Sequence, residues 1–430
     1  MSKPVGSRRG IVVIDAAHTR RQIIERGQQD FWLARDHHGF FDLVWGVHPL
    51  ADVVEPGEQR TVQKFSSRQL VIEGKTRSFS LPALLYPVNV LLSQLSLLFW
   101  LRKQVRQRAW LRVIYAADPI YCGLFGWTLA RLTARPLIVF IPANYDELWA
   151  ESRVLAYPRL FRSRAVEKLV MHFVFRRADM IVAVADSVYR LALRYGGEAS
   201  RIMRGRHGKF IAKIHMSAPE SRMLSRETAD ELGLPKAANY LLFVSRLIDL
   251  KLPQDAVRAM AKIIKERPDT VGIIAGDGER RGQLEALAAK LGAAPRIIFT
   301  GNLPQETLSI LYSKSIILSP LTGMALIEAA LAGSAIIAYD RDFQAEFLDH
   351  GNTGVIVPFR DTDAMASEAI ALIDDPAVRE EIGQAARQMA LAFVDPVANG
   401  RTERIALTEL IEHGTHREER FQRHLANALD

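Results

Sequence analysis

At 430 residues the chain is longer than one ordinary hydrophobic core supports, and its composition (49% apolar, 24% charged) is that of a folded protein without low-complexity tracts. A single cysteine, Cys122, excludes an internal disulfide framework and fits a reducing compartment. The net charge of +8 conceals two unlike halves: residues 1–218 hold 33 Lys and Arg against 17 Asp and Glu, whereas residues 219–430 hold 23 against 31. Opposite signs point to two domains with different partners, the basic one suited to nucleic acid, an anionic membrane or a phosphorylated substrate.

The first apolar run, GIVVIDA (10–16), is short and contains Asp15, which argues for a buried strand rather than a secretory signal. Further strands are expected at RVIYAAD (112–118), PLIVFIP (136–142) and MIVAVAD (180–186), with helical segments between them. Between the first two lies LPALLYPVNVLLSQLSLLFWL (81–101), uncharged and long enough to span a membrane. It contains Pro82, Pro87 and Gln94, however, and Asn89, Ser93, Ser96 and Trp100 recur at helical spacing as one stripe of an amphipathic helix. Arg102, Lys103, Arg106 and Arg108 follow at once. A core helix, a helix lying in the membrane interface and a span are the readings this leaves open, with the polar residues counting against the span.

The second half alternates β-rich runs with amphipathic helices. YLLFVSR (240–246), VGIIAG (271–276), RIIFTG (296–301), SIILSP (315–320), SAIIAYD (334–340) and TGVIVP (353–358) are the expected strands. This alternation predicts a parallel sheet covered on both faces, in which ligands bind outside the carboxyl ends of the strands. The expected division is an N-terminal domain over 1–217, a C-terminal domain over 218–395 and a helical extension over 396–430, which begins where Pro396 breaks the preceding helix.

Three strand ends carry chemistry. VSRLIDLK places Arg246 and Lys251 in the loop after a strand, where two cations above a helix start suit a diphosphate, although from this pair alone solvated surface cations are the favoured reading. IIAGDGERRG supplies a tight Gly276-Asp277-Gly278 turn but lacks the third glycine of the dinucleotide fingerprint. SPLTGMALIEAA opens a helix whose first amides, around Thr322, Gly323 and Met324, suit an anion. Within that helix Glu328 stands alone among apolar residues. A carboxylate buried without a partner neutralises rather than stay charged, so Glu328 either faces water or meets something polar.

Together these elements resemble the C-terminal domain of the retaining family 4 glycosyltransferases with the GT-B fold. Arg246 with Lys251 five positions on, the GDG turn, FTGNLP (299–304), the Gly323-x-x-x-x-Glu328-Ala motif and Gly351, Gly354 and Pro358 occur in the family's order over residues 240 to about 390. In the first half the likeness is architectural, clearest in FRRADMIVAVADSVYRLALRYG (175–196). The resemblance implies an α/β protein of two Rossmann-like domains facing an interdomain cleft. It also implies that Arg246 and Lys251 act in catalysis by holding the donor's diphosphate, and that Glu328 binds the nucleotide ribose. Thr322, Gly323, Met324, Gly276, Gly278 and Leu303 would line the donor site. Two departures stand out: Pro320 occupies the position of the first glutamate of the family's pair, and Asn144 and Asp146 stand where a histidine is often found. His18, after the first strand, is a further candidate to approach the sugar.

The function implied is transfer of a sugar from a nucleotide-diphosphate donor to a glycan or lipid-linked acceptor, with retention and with neither metal nor cofactor. No Asp-x-Asp metal motif lies in a suitable loop, since Asp340 and Asp342 belong to a strand-end loop of the family. A nucleotide-sugar-binding partner protein that has lost catalysis is the alternative, motivated by Pro320. Nucleic acid is not an expected partner, because no groove-reading motif accompanies the spread basic residues. The expected place of action is the cytoplasm, peripheral at an anionic membrane surface.

Overall fold

The computed structural model describes residues 8–25, 29–51, 60–79, 81–205, 213–217, 225–321 and 323–427. In the first half the strands are β1 (Gly10–Ile14), β2 (Leu43–Ala51), β3 (Arg60–Lys64), β4 (Gln69–Lys75), β5 (Leu111–Ala116), β6 (Leu137–Ile141), β7 (Met180–Ala183) and β8 (Ile202–Arg204). In the second they are β9 (Asn239–Val244), β10 (Thr270–Ala275), β11 (Ile297–Gly301), β12 (Ser315–Ser319), β13 (Ile336–Tyr339) and β14 (Val355–Val357). Two sheets result, ordered β3-β4-β2-β1-β5-β6-β7-β8 and β11-β10-β9-β12-β13-β14. All neighbours are parallel except β3 with β4.

Every strand expected from an apolar run forms, while β2, β3, β4 and β8 were not legible in the sequence. In β2 the run is broken by Gly46, His48 and Pro49. Gly46 is needed because the Trp32 ring lies 2.3 Å from where a Cβ would stand. Pro49 has no N–H to give, and the pairing of β2 with β4 shifts register between His48 and Ala51.

The chain divides into two compact units, Met1–Phe210 together with Pro396–Asp430, and Ile211–Asp395. This corrects the expected separate extension over 396–430; the boundary expected at 217/218 falls within the second unit, beside residues outside those described. The physical reason lies in β1. It is buried on both faces, with Val12 and Ile14 packed with Leu97, Leu101 and Leu129 on one side. On the other side Ile11 and Val13 pack with Ala406, Leu407, Leu410 and Phe421 of the terminal helices Pro396–His413 and Glu418–Asn427. Without those helices one face of a continuously apolar strand would meet water. Polar contacts add to the join: His37 Nδ1 lies 2.8 Å from Glu403 Oε1, and Arg417 donates to Glu198 at 2.9 Å.

Residues 86–106 form one helix, Tyr86–Arg106, with Pro87 in its first turn. Its polar stripe points inward. Asn89 and Ser93 are buried and act as surrogate backbone for the preceding segment. Asn89 donates to Phe79 O (2.6 Å) and accepts from Phe79 N (3.2 Å), and Ser93 Oγ accepts from Ser78 N (2.7 Å). Leu91 and Phe99 are correspondingly left 59% and 56% exposed. Among the described residues no helix is long and apolar enough to cross a membrane.

In the second unit each face of the sheet has its own core. Leu241 and Phe243 pack with Ala256, Met260 and Ile263 of the helix Pro253–Glu266, while Leu242 packs with Leu326 and Ala330 of the helix Met324–Leu331.

Leu410→Ala tests the assignment of the terminal helices. Leu410 is fully buried, so its truncation is expected to cost about 2–5 kcal/mol in chemical denaturation. A loss below about 1 kcal/mol would make 396–430 a loose appendage.

Candidate functional site

In the second sheet the chain leaves β9 towards β10 and β11 on one side, and β12 leads to β13 and β14 on the other. The loops after β9 and β12 therefore flank a crevice at the carboxyl ends, the place where open parallel sheets bind ligands. Arg246 leaves β9, and Gly323, Met324 and Glu328 follow β12. The β9 loop is pinned by Leu247 and Leu252, both buried, which leaves Arg246 exposed and Lys251 half-buried in the turn Asp249–Lys251.

The two glycines of the GDG turn bring this loop and the one after β10 together. A Cβ on Gly276 (φ +131°) would lie 1.9 Å from Ser245 O, and one on Gly278 2.5 Å from Leu247 O. Only bare backbone permits that approach. Leu247 N then donates to Asp277 O (3.0 Å) and Arg280 N to Leu247 O (3.1 Å), while the Arg280 guanidinium pairs with Asp249. The glycines thus set the position of Arg246 from beneath. Leu303, half-buried, packs against the core that also carries Leu326 and Ala330.

Glu328 does not face water. Its side chain is 12% exposed, and Tyr312 donates its phenol to Oε2 at 3.0 Å. His215 Nε2 lies 4.0 Å from Oε1 and 2.7 Å from Gln305 Oε1. Burial, reinforced by the carboxylate, raises the Tyr312 phenol well above its ordinary value, so it is a hydrogen-bond donor at any physiological pH. One carboxylate oxygen is thereby fixed from the protein side, and a small part of the side chain stays exposed. Sequence reasoning missed Tyr312 and Gln305, on the helix Gln305–Lys314, and His215, in the turn Lys213–Met216, because only the fold brings these two elements to Glu328. Pro320 is buried at the end of β12, and Thr322 lies outside the described residues.

In the first unit the residues proposed in place of a histidine have structural duties. Asn144 caps the helix Tyr145–Ser152, accepting from the amides of Asp146 and Glu147. Asp146 accepts from Arg164 (2.8 Å), Arg194 (3.0 Å) and the Tyr195 hydroxyl (2.8 Å). The switch point of this sheet lies instead between β1 and β5, and each strand ends on a buried carboxylate, Asp15 and Asp118. Burial pushes Asp15 up, but the Arg35 guanidinium and the Ala17 amide (2.7 Å) outweigh it and hold the carboxyl below its ordinary range, with His18 contributing in the same direction. Burial raises Asp118 despite donation from Tyr157 (2.5 Å) and Ile120 N (2.8 Å). A carboxylate closing a buried strand at a switch point was the available signal for both. Among the described residues no three of His, Cys, Asp and Glu form a group that would hold a metal.

Two α/β units built on parallel sheets, the second with Arg246, Lys251 and Glu328 around its switch point, define a protein of the double-Rossmann class. Residues 225–389 match the family model for Glycosyl transferases group 1, and residues 36–204 match that for the Glycosyl transferase 4-like domain. The chain belongs to the family 4 glycosyltransferases and has their GT-B fold. It is 30% identical over 231 residues to D-inositol 3-phosphate glycosyltransferase of Streptomyces avermitilis, the match covering 50% of each chain. It is 24% identical over 314 residues to alpha-D-kanosaminyltransferase of Streptomyces kanamyceticus, covering 69% of this chain and 77% of that one. Against the first of these relatives, the chain spans about half the length of the protein it matches. HepE of Anabaena, solved in complex with UDP-glucose, superposes with a TM-score of 0.68 at 16% identity, over 93% of this chain and 100% of that one, a likeness of fold.

Two outcomes test this geometry. Tyr312→Phe is expected to cost about 1.5–3 kcal/mol in denaturation, the range for a hydrogen bond to a charged group. No loss would show that the phenol does not hold Glu328. For Asp15, a depressed carboxyl stabilises the fold above its unfolded pKa of about 3.9, and that stability fades as pH falls through the folded value. In Arg35→Met burial acts without the cation, so Asp15 titrates above its ordinary range and stability there falls as pH rises. A wild-type pH profile in the variant would separate the two residues.

Proposed function

We propose that the protein transfers a sugar, of hexosyl type, from a nucleotide-diphosphate donor bound at the carboxyl ends of β9 and β12, with retention and without a metal. The observation that carries this reading is Glu328: a carboxylate held from behind by Tyr312, one and a half turns into the helix that opens at the switch point. Its free lone pairs suit two neighbouring hydroxyls of a ribose. Arg246 and Lys251, on the loop across the switch point, meet the diphosphate, and the amides that begin the helix at Gly323 and Met324 add donors. As the sugar leaves, negative charge accumulates on the diphosphate, and cations already in place stabilise it without reorganising. Charge supplied by the protein does the work that a metal does elsewhere. With Pro320 at the family's first glutamate position, the donor sugar takes its contacts from loop amides rather than from a carboxylate there. The UDP-glucose held by HepE supports a nucleotide sugar as the ligand class. The acceptor is a glycan or a lipid-linked sugar.

Calorimetric titration with nucleoside diphosphates tests the site. Glu328→Ala is expected to weaken binding about 10- to 100-fold, the loss of a charge-assisted hydrogen bond. An unchanged Kd in a folded variant would remove Glu328 from the site. Arg246→Ala and Lys251→Ala should lower kcat more than they raise KM, since their contacts strengthen with the developing charge. A chelator should leave the wild-type rate unchanged, and its abolition would reject the metal-free reaction.

A further inference from the structure

The helix Tyr86–Arg106 turns its apolar stripe to solvent. Val90, Leu97, Leu101 and Val105 fix one side in the core, and on the other Val88, Leu91, Leu92, Leu95 and Phe99 are 37–59% exposed. The same stripe continues, at steps of three and four residues, into the exposed Lys103 and Arg106. Just before the helix, Leu84 is 91% exposed. A contiguous apolar surface of this kind marks an interaction site.

Two hollows adjoin the helix. An apolar groove of about 650 Å³ runs beside it, walled by Leu91 and Leu95 on the helix and by Phe125, Leu160 and Phe161 opposite. At the groove's end, sharing Tyr86 and Arg159 with it, a polar pocket of about 470 Å³ is lined by Lys75, Thr76 and Arg77. Among the described residues, neither hollow has a carboxylate in its lining. From residue 74 to residue 117 the chain carries seven Lys and Arg and no Asp or Glu. On the far wall, the helix Arg164–Phe175 also exposes Val166 (41%) and Leu169 (68%), with the exposed Lys168 between them.

We propose that this face is the docking surface for an anionic lipid bilayer. The helix lies flat in the interface with its apolar stripe at the acyl boundary. The polar pocket takes the phosphate of one headgroup on Lys75, Arg77 and Arg159, with the hydrocarbon chain running along the apolar groove. Charge selects this occupant. A second copy of the same face would set cations against cations, whereas a surface of phosphates matches cations placed at both ends of an apolar stripe. The inference rests on the first unit alone, so it stands or falls independently of the donor site.

Vesicle flotation of the full chain tests it, with phosphatidylcholine vesicles compared with vesicles containing phosphatidylglycerol. Binding is expected only to the anionic vesicles and is expected to be lost in about 0.5 M salt, where charges beyond a few ångströms are screened. Replacing Lys75, Arg77 and Arg159 together by alanine should weaken partitioning about a hundredfold, from about fivefold for each cation near an anionic surface. Leu91→Asp with Phe99→Asp should abolish it, while circular dichroism and the thermal midpoint show an intact fold. No binding, equal binding to neutral vesicles, or binding untouched by the aspartates would overturn the proposal. Loss with the aspartates but not with the triple alanine variant would overturn the headgroup pocket. Self-association that disappears in the aspartate variant, without vesicle binding, would assign the face to a second copy and likewise overturn it.

Discussion

A carboxylate inside a protein must take its hydrogen bonds from whatever the fold provides, and the second unit is arranged around that requirement at Glu328. The helix Met324–Leu331 is otherwise apolar and lies against the sheet, so it cannot turn to carry Glu328 into water without exposing Leu326 or Ala330. Tyr312 resolves the conflict by bringing a fully buried phenol to one oxygen. The carboxylate is then oriented and only slightly exposed, which is the state the proposed binding role needs before a ligand arrives. A freely solvated glutamate would have to lose rotamer freedom on binding, whereas this one has lost it on folding.

The same constraint is met with different partners in the first unit. Glu167 is fully buried and accepts from Arg164 (2.9 Å) and from Ala156 N (2.8 Å). Glu409, also fully buried, is met by Arg420 (2.8 Å) and Arg417 N (3.0 Å). These pairs tie the ends of segments together and face no crevice at a switch point. Asp15 and Asp118 lie just after the strands on either side of the switch point, and their environments push them apart: a guanidinium keeps one charged while burial favours the protonated form of the other. Position at the strand ends, more than burial, separates the groups suited to a ligand from those that hold the fold.

Much of this was legible in the sequence, for identifiable reasons. Strands such as YLLFVSR and SIILSP are continuous apolar runs because both faces of the sheet are covered, and the loops that leave them carry the residues of the proposed donor site close together in sequence. What spans the fold was hidden. Tyr312 is sixteen residues from Glu328 on another helix, and nothing in its local pattern names its partner. The helix at 86–106 was read with the right period, but period alone does not say which stripe faces in. Asn89 and Ser93 go inward because Ser78 and Phe79 offer unsatisfied backbone groups there, a fact of tertiary placement. The terminal helices were read as helices, but their partner, the second face of β1, lies at the opposite end of the chain.

That last pairing has a temporal consequence. The first unit is discontinuous: its sheet is synthesised early, yet Ala406, Leu407 and Leu410, which seal one face of it, emerge only after the whole of the second unit. At about 5–20 residues per second, the intervening stretch of roughly 185 residues adds about ten to forty seconds to the wait of Ile11 and Val13. The second unit, continuous in sequence, is complete before the first can close. On the ribosome the second unit can therefore close before the first, and until then one face of the nascent first sheet lacks its apolar cover.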